Sequence, residues 1–417
     1  MGYWDNKAAF VWNALPGEEV EVDVTYNKKT HSEGTAIKIN NPSPDRIEPL
    51  EDHASICSAW SVMTLEAEQK WKEETAREVY DRMGGITLPS YDMIWETNKD
   101  GNKITHGYRN KIEYSFGQHP DGRVSFAFFE RGKRNRRPID QCLLASKEIN
   151  ETAQTIFDWV IKREISLRSL KALIVRSNKA GETIATLFIK DEMKFREKEI
   201  QDLLSKSFIG FQIYYSTHKS PASVPTKLLY SVGTDAITEN LAGVTFSYGA
   251  LSFFQICPPI FERALEDIRA HIDSSLPLVD FYAGVGSIGL TLASSVPSVQ
   301  LVESNPEAVE NAEKNIRLND LSDKVTAILS PAEKVTEYIT EDCQVVVDPP
   351  RAGLHPDVVK RLLEVKPKRI IYLSCDLSTQ ARDIKMLSEA YSISFSRLYN
   401  FFPRTPHIEG LVVLELV

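Results

Sequence analysis

The C-terminal part of the chain carries the pattern that most restricts its fold. Four short apolar runs, "PLVDFYAG", "SVQLVES", "CQVVVDPP" and "RIIYLSC", alternate with stretches of helical spacing near 287–294, 306–318, 356–364 and 378–390. Strands that are apolar along their whole length are buried on both faces, and the helices between them supply the covering layers. The rhythm predicts an α/β unit on a doubly wound, mainly parallel sheet, with "GLVVLELV" as its final strand. In such sheets ligands bind outside the carboxyl ends of the strands.

Those ends are rich in chemistry. "LVDFYAGVGSIGL" sets Asp280 at a strand end, followed by Gly284, Gly286 and Gly289. This spacing lets the backbone approach a ligand before a helix begins, and it also suits a plain tight turn. Glu303 ends the next strand, 23 residues after Asp280. A carboxylate there can accept both hydroxyls of a ribose, so the pair reads as a nucleoside-cofactor site. Asp348 ends a third strand, and Pro349 and Pro350 force an extended, rigid exit. Cys375 follows a fourth, where a small buried hydrophobe and a nucleophile are both open readings.

A chain of 417 residues exceeds one ordinary core. Residues 1–50 hold the β-like runs "EEVEVDVTY" and "GTAIKIN" and end in proline-rich "NPSPDRIEP", which predicts a small β-barrel. Residues 54–83 predict one helix, with Trp71, Ala76 and Val79 at helical spacing. From about 105 to 240, β runs mix with helix in an α+β pattern, giving units at 1–50, 51–245 and 246–417. The net charge of −9 argues against a wholesale polyanion binder, yet residues 103–137 carry nine Lys or Arg against three acids. That run, with "RGKRNRRP" inside it, is either a solvated loop or a phosphate-contacting patch. The five scattered cysteines fit a reducing compartment rather than a disulfide framework. No apolar run approaches the roughly 20 residues of a membrane helix, and "MGYWDNKAAF" has no signal-like apolar block, so a cytoplasmic location is expected.

Five ordered segments carry a family resemblance: "FFQ" (253–255), "DFYAGVGSIGL" (280–290), "DPPRAGLHP" (348–356), "YLSCDLSTQARD" (372–383) and "FPRTPHIEGLVVLEL" (402–416). Together they resemble the S-adenosylmethionine-dependent RNA (uracil-C5) methyltransferases. "ALPGEEVEVDV" and "PSPDRIEP" resemble the family's OB-like TRAM barrel with a shortened start, and "YRNKIEYSFG" resembles the opening of its middle, RNA-binding domain. The resemblance implies a Rossmann-like class I methyltransferase domain at the C-terminus. It implies Cys375 as nucleophile on uracil C6 and Glu409 of "HIE" as the base that removes the C5 proton, with His407 a structural neighbour. It implies S-adenosylmethionine held by Gln255, Asp280, Tyr282, Gly284, Glu303 and Asp348. The substrate implied is a flipped or unpaired uridine, with 23S ribosomal RNA favoured over transfer RNA, and the enzyme is expected to act as a monomer. Arg134, Arg136 and Arg137 of the basic run are the expected RNA contacts.

The chain departs from the family pattern in places. Asp376 stands where Asn is frequent and should raise the thiol pKa; Arg351 replaces the aromatic that follows Pro-Pro in amino-directed methyltransferases; Cys257 and Pro331 replace polar residues near the cofactor. Many members bind an iron–sulfur cluster through four cysteines. Here Cys57 and Cys142 match two positions, Glu51 and Trp60 occupy the others, and two thiols cannot hold a cubane, so no cluster and no metal site is expected. The competing readings are a methyltransferase acting on another base or a small molecule, and a non-catalytic RNA-binding relative.

Overall fold

The computed structural model describes residues 2–4, 6–130, 135–219 and 223–417. Strands β1 (Gly2–Trp4), β2 (Lys7–Trp12), β3 (Glu19–Asn27) and β4 (His31–Asn41) form an N-terminal sheet in the order β1-β2-β4-β3. Three register shifts bend β3 along β4. Gly34 permits this closeness, because a Cβ there would lie 2.4 Å from Val22 Cγ1. The expected barrel is not closed among the described residues: β1 and β3 are outer strands, with no partner to join them.

The single helix expected over 54–83 is broken. Helix α1 (Ala54–Cys57) ends almost at once, and α2 (Leu65–Val79) starts anew where the Thr64 side chain accepts from Ala67 N at 3.3 Å. A π-helical turn, Tyr80–Gly84, follows and stops at Gly85, whose φ is +64°. Strand β5 (Met93–Ile94) then pairs with the C-terminal sheet, and Ala76, Tyr80, Leu88 and Tyr91 enter that sheet's core. The front of the unit expected at 51–245 therefore packs with the C-terminal unit.

The middle of the chain contains β6 (Lys111–Gln118), β7 (Val124–Phe129), β8 (Arg136–Ile139), α3 (Lys147–Lys162), β9 (Leu170–Ser177), β10 (Thr183–Ile189), α4 (Glu197–Gln201), β11 (Phe208–Tyr215) and β12 (Lys227–Gly233). They build a seven-stranded sheet, β12-β11-β10-β9-β6-β7-β8, which leaves basic β8 on an edge. The hairpin β13 (Ala236–Leu241) and β14 (Val244–Gly249) turns at Ala242-Gly243, both at positive φ. It docks on the C-terminal unit through Ser247 N, which donates to Asn315 Oδ1 at 2.7 Å.

The C-terminal unit runs α5 (Pro258–His271), β15 (Leu278–Phe281), α6 (Gly289–Leu292), β16 (Val299–Glu303), α7 (Pro306–Leu318), β17 (Val325–Leu329), β18 (Gln344–Val347), α8 (Pro356–Val365), β19 (Arg369–Ser374), α9 (Leu377–Leu387), β20 (Tyr391–Tyr399) and β21 (Glu409–Leu416). Its sheet has the order β17-β16-β15-β18-β19-β21-β20-β5. All pairs from β17 to β19 are parallel, and β21 enters antiparallel to β19. The chain moves outward from β15 in one direction through β16 and in the other through β18. The crevice between them is the switch point where ligands bind in open α/β sheets. No helix among the described residues is long and apolar enough to cross a membrane.

A buried ionic cluster fastens α2 to the segment that leads into β21. Lys72 Nζ donates to Asn400 Oδ1 at 2.7 Å and lies 3.2 Å from Glu68 Oε1, while Arg404 N donates to Glu68 Oε1 at 2.9 Å. Burial pulls the Lys72 ammonium down to about 8, although Glu68 opposes the shift. Glu68→Ala leaves two buried cations without their carboxylate. It is expected to cost about 3–5 kcal/mol in urea unfolding, whereas the exposed Glu78→Ala should change stability by no more than about 0.5 kcal/mol.

Candidate active site

The carboxyl ends of β15, β16, β18 and β19 meet the start of β21 around one cavity of about 640 Å³. Gln255, Asp280, Tyr282, Gly284, Glu303, Asp348, Cys375 and Glu409 all line it. The basic residues lie elsewhere. Arg136 and Arg137 sit on edge strand β8, where they donate to Phe116 O at 2.9 Å and to Asp52 Oδ2 at 3.3 Å. Arg134 falls outside the described residues.

The turn after β15 is built for close approach. Tyr282 holds φ +65° at the strand end, an uncommon conformation for a bulky residue. Gly284 continues at φ +57° and has open space where a Cβ would stand, so the cavity reaches its backbone. Gly289 is needed for packing, because a Cβ there would come within 2.3 Å of Leu301 Cδ2. Gly289 N donates to Asp280 Oδ2 at 2.8 Å, and Gly284 N donates to Glu303 Oε2 at 3.0 Å. Oε1 of Glu303 accepts from Ser304 N and Asn305 N, each at 2.7 Å. This fixes the carboxylate at the strand tip, with spare lone-pair capacity on Oε2.

Asp348 accepts from Gln255 Nε2 at 3.3 Å, so the "FFQ" amide is clamped on the aspartate of "DPP". The loop beyond is held by Asp383, which accepts from Leu354 N and Tyr372 OH, each at 2.8 Å. Gly353 at φ +77° is required there: a Cβ would press within 2.7 Å of Asp383 Oδ2.

The nucleophile and base expectations rest on strand register. Ser374 pairs with Gly410 across the antiparallel β19–β21 ladder. The next residue along β19, Cys375, and the previous one along β21, Glu409, are thereby set side by side at the cavity. Gln380 Nε2 braces this ladder from below, donating to Tyr372 O at 2.8 Å and to Gly410 O at 3.0 Å, while its Oε1 accepts from Tyr80 OH.

Burial dominates the electrostatics. It pushes Asp280 up to about 8 and Asp348 up to about 7, and it raises Glu409 well above the carboxylate range with Asp348 adding repulsion. The Cys375 thiol is pushed up to about 11, first by burial and then by Glu409 and Asp348, with Arg351 pulling it back. Asp376 raises it least, because its carboxylate is turned to cap α9 through Ser378 N at 3.0 Å and Thr379 N at 3.1 Å. Arg351, noted in the sequence only as a departure, lines the cavity and is a cation whose charge acts on Cys375. His407 also lines the cavity.

The four positions expected for an iron–sulfur cluster do not fit one. Glu51, Cys57 and Cys142 come together, but Trp60 N is bound to Arg404 O at 3.0 Å and its ring lies by Lys72 Nζ, at 5.8 Å. Only two sulfurs are available for a cubane that needs four. His53 joins this group, and the spacing Glu51-x-His53-x-x-x-Cys57 is the signal in the sequence that marks it.

A family model described as tRNA (uracil-5-)-methyltransferase matches residues 102–417. An uncharacterised RNA methyltransferase of Caldanaerobacter subterraneus subsp. tengcongensis is 26% identical over 434 residues, covering 100% of this chain and 95% of the relative. One from Halalkalibacterium halodurans is 29% identical over 440 residues, covering 99% and 93%. Among solved structures, the Pyrococcus abyssi tRNA (uracil-54, C5)-methyltransferase in complex with S-adenosyl-L-homocysteine matches with a TM-score of 0.79 and 25% identity, over 98% of this chain and 96% of that one.

The charge arrangement has a measurable consequence in the free protein. Alkylation of Cys375 by iodoacetamide should rise with pH toward a midpoint near 11. Glu409→Gln should move that midpoint down and Arg351→Ala should move it up, followed by peptide mass spectrometry. A midpoint near the ordinary thiol value in all three proteins contradicts the electrostatic account.

Proposed function

The chain belongs to the tRNA (uracil-5-)-methyltransferase family, and we propose that it methylates C5 of a uridine in RNA, with S-adenosylmethionine as donor, through a covalent adduct on Cys375. The observation that carries this is the side-by-side placement of Cys375 and Glu409 at a cavity that also holds the glycine turn, Glu303 and Asp348. Methylation of an amine or hydroxyl needs no thiol, and a binding module needs neither group, so those readings leave this pair unexplained.

The donor supplies an electrophilic methyl on a sulfonium. Glu303 would hold its ribose, and the Gly284 backbone and Gln255 would lie along it. The residues of the chain do the rest. The Cys375 thiol gives its proton to solvent, its sulfur adds to C6 of the uracil, and the C5–C6 π pair moves into an enolate toward O4. Asp348 would accept from the ring's N3–H. C5 takes the methyl, and the donor's sulfur keeps the bond pair. Glu409, as carboxylate, removes the C5 proton; C5–C6 closes again and the C6–S pair returns to Cys375. Burial favours the neutral forms of Glu409 and Cys375 in the resting protein. A sulfonium cation entering the cavity favours the charged forms of both.

RNA is proposed to reach the cavity along basic edge strand β8, with Arg136 and Arg137 and, beyond the described residues, Arg134. The N-terminal sheet, expected to be TRAM-like, adds exposed Trp4, Phe10 and Tyr26 on which bases can stack. Ribosomal RNA is the substrate favoured by the sequence reading, while the activity of the Pyrococcus abyssi enzyme supports transfer RNA. Mapping 5-methyluridine by mass spectrometry in both RNAs from cells lacking this protein decides between them.

With tritiated donor and unmodified RNA, Cys375→Ala should abolish methyl incorporation, and survival of activity removes the covalent route. Glu409→Gln should slow turnover by about 10²–10⁴-fold and accumulate a denaturant-resistant protein–RNA adduct. Adduct-free Glu409→Gln assigns the base elsewhere. Neutralising Arg134, Arg136 and Arg137 together should weaken RNA binding and lower its log–log salt slope by about 0.7–0.9 per lost phosphate contact. An unchanged slope makes β8 a bystander surface.

A further inference from the structure

The group formed by Glu51, His53 and Cys57, with Cys142 nearby, has no part in the methyl transfer proposed, yet the first three are spaced as a ligand set. His53 Nε2 stands 3.3 Å from Glu51 Oε1, and Cys57 Sγ stands 3.8 Å from Glu51 Oε2. One ligand atom from each of these three residues lies within 4.8 Å of the others. Tetrahedral zinc, with bonds of about 2.0–2.3 Å, sets its ligand atoms about 3.3–3.8 Å apart. Cys142 comes from the turn before α3, and it is buried and lines the same small cavity as Cys57.

Two further observations point to a ligand. His53 is only 4% exposed, and its Nε2 makes no hydrogen bond of acceptable geometry although it faces the group. Its other nitrogen, Nδ1, lies 3.3 Å from Asp52 Oδ1. That is the carboxylate–histidine arrangement that fixes the imidazole and turns Nε2 toward Glu51 and the group. Arg109 lines the same small cavity as both thiols, and its charge acts on both. Two thiolates, one carboxylate and a divalent ion sum to a single negative charge, which Arg109 offsets.

We propose that Glu51, His53, Cys57 and Cys142 form a mononuclear tetrahedral zinc site, distinct from a sulfide cluster. Two thiolates, an imidazole and a carboxylate form a borderline-soft set that suits zinc. Binding releases the two thiol protons to solvent and consumes no redox equivalent. The site ties residues 51–57 to the turn before α3. Through Asp52, which meets Arg137 at 3.3 Å, it also sets the position of the basic edge strand.

The test uses the full-length protein, reduced and purified without chelator. One equivalent of zinc per chain is expected by plasma mass spectrometry, and cobalt alone, added to stripped protein, should give the visible absorption of a tetrahedral thiolate site. Cys57→Ser with Cys142→Ser should abolish both signals, and Cys343→Ser should keep them. Asp52→Asn should weaken zinc affinity about 10–100-fold in chelator competition. The wild-type measurements stand even if the double variant fails to fold. Absence of bound zinc together with no cobalt spectrum, iron with labile sulfide, or a Cys57–Cys142 disulfide in anaerobically purified protein overturns the site.

Discussion

The architecture depends on one strand pairing. The parallel sheet delivers Asp280, Glu303, Asp348 and Cys375 to a common edge, but a parallel sheet alone sends every neighbouring strand the same way. Only by running β21 antiparallel against β19 can the chain bring the beginning of a strand to that edge. The register Ser374 against Gly410 then sets an acid beside a thiol. A slip by one residue would turn Glu409 to the opposite face of the sheet. Gln380, fully buried under the ladder and bonded to carbonyls of both strands, holds the register where the chemistry needs it.

The C-terminal half was largely legible because its strands are uniformly apolar and its helices periodic. The loops between them also carry residues whose spacing has chemical meaning: Gly284 to Gly289, Asp348 with two prolines, and Cys375 at a strand tip. The rest was hidden for physical reasons. Helix α6 is one turn rather than the longer run expected near 287–294, because Gly289 faces Leu301 and 3₁₀ geometry takes over at Ala293. The break after Cys57 depends on contacts with Arg404, more than 300 residues away, which no local window contains. Strand β5 is two residues long and exists only because β20 offers an edge. The site lacked Arg351 as a working residue, since its effect on Cys375 arises from folded proximity alone.

The cavity stores electrostatic tension in the resting protein. Asp280, Asp348, Glu409 and the Cys375 thiol share one cavity, and burial favours their neutral forms. A positively charged ligand entering this cavity would offset that penalty.

The pairing of α2, the π-turn and β5 with the C-terminal sheet has a consequence for how this enzyme can be divided. By sequence the catalytic unit looks severable near residue 246, yet a fragment cut there would lose Tyr80 from beneath the reactive ladder. It would also leave Arg404 without Glu68 and uncover the open edge of β20. Residues 64–94 thus complete the core and the outer edge of the C-terminal sheet, and the middle of the chain shares its other core, so the catalytic unit is not a separable piece of the sequence.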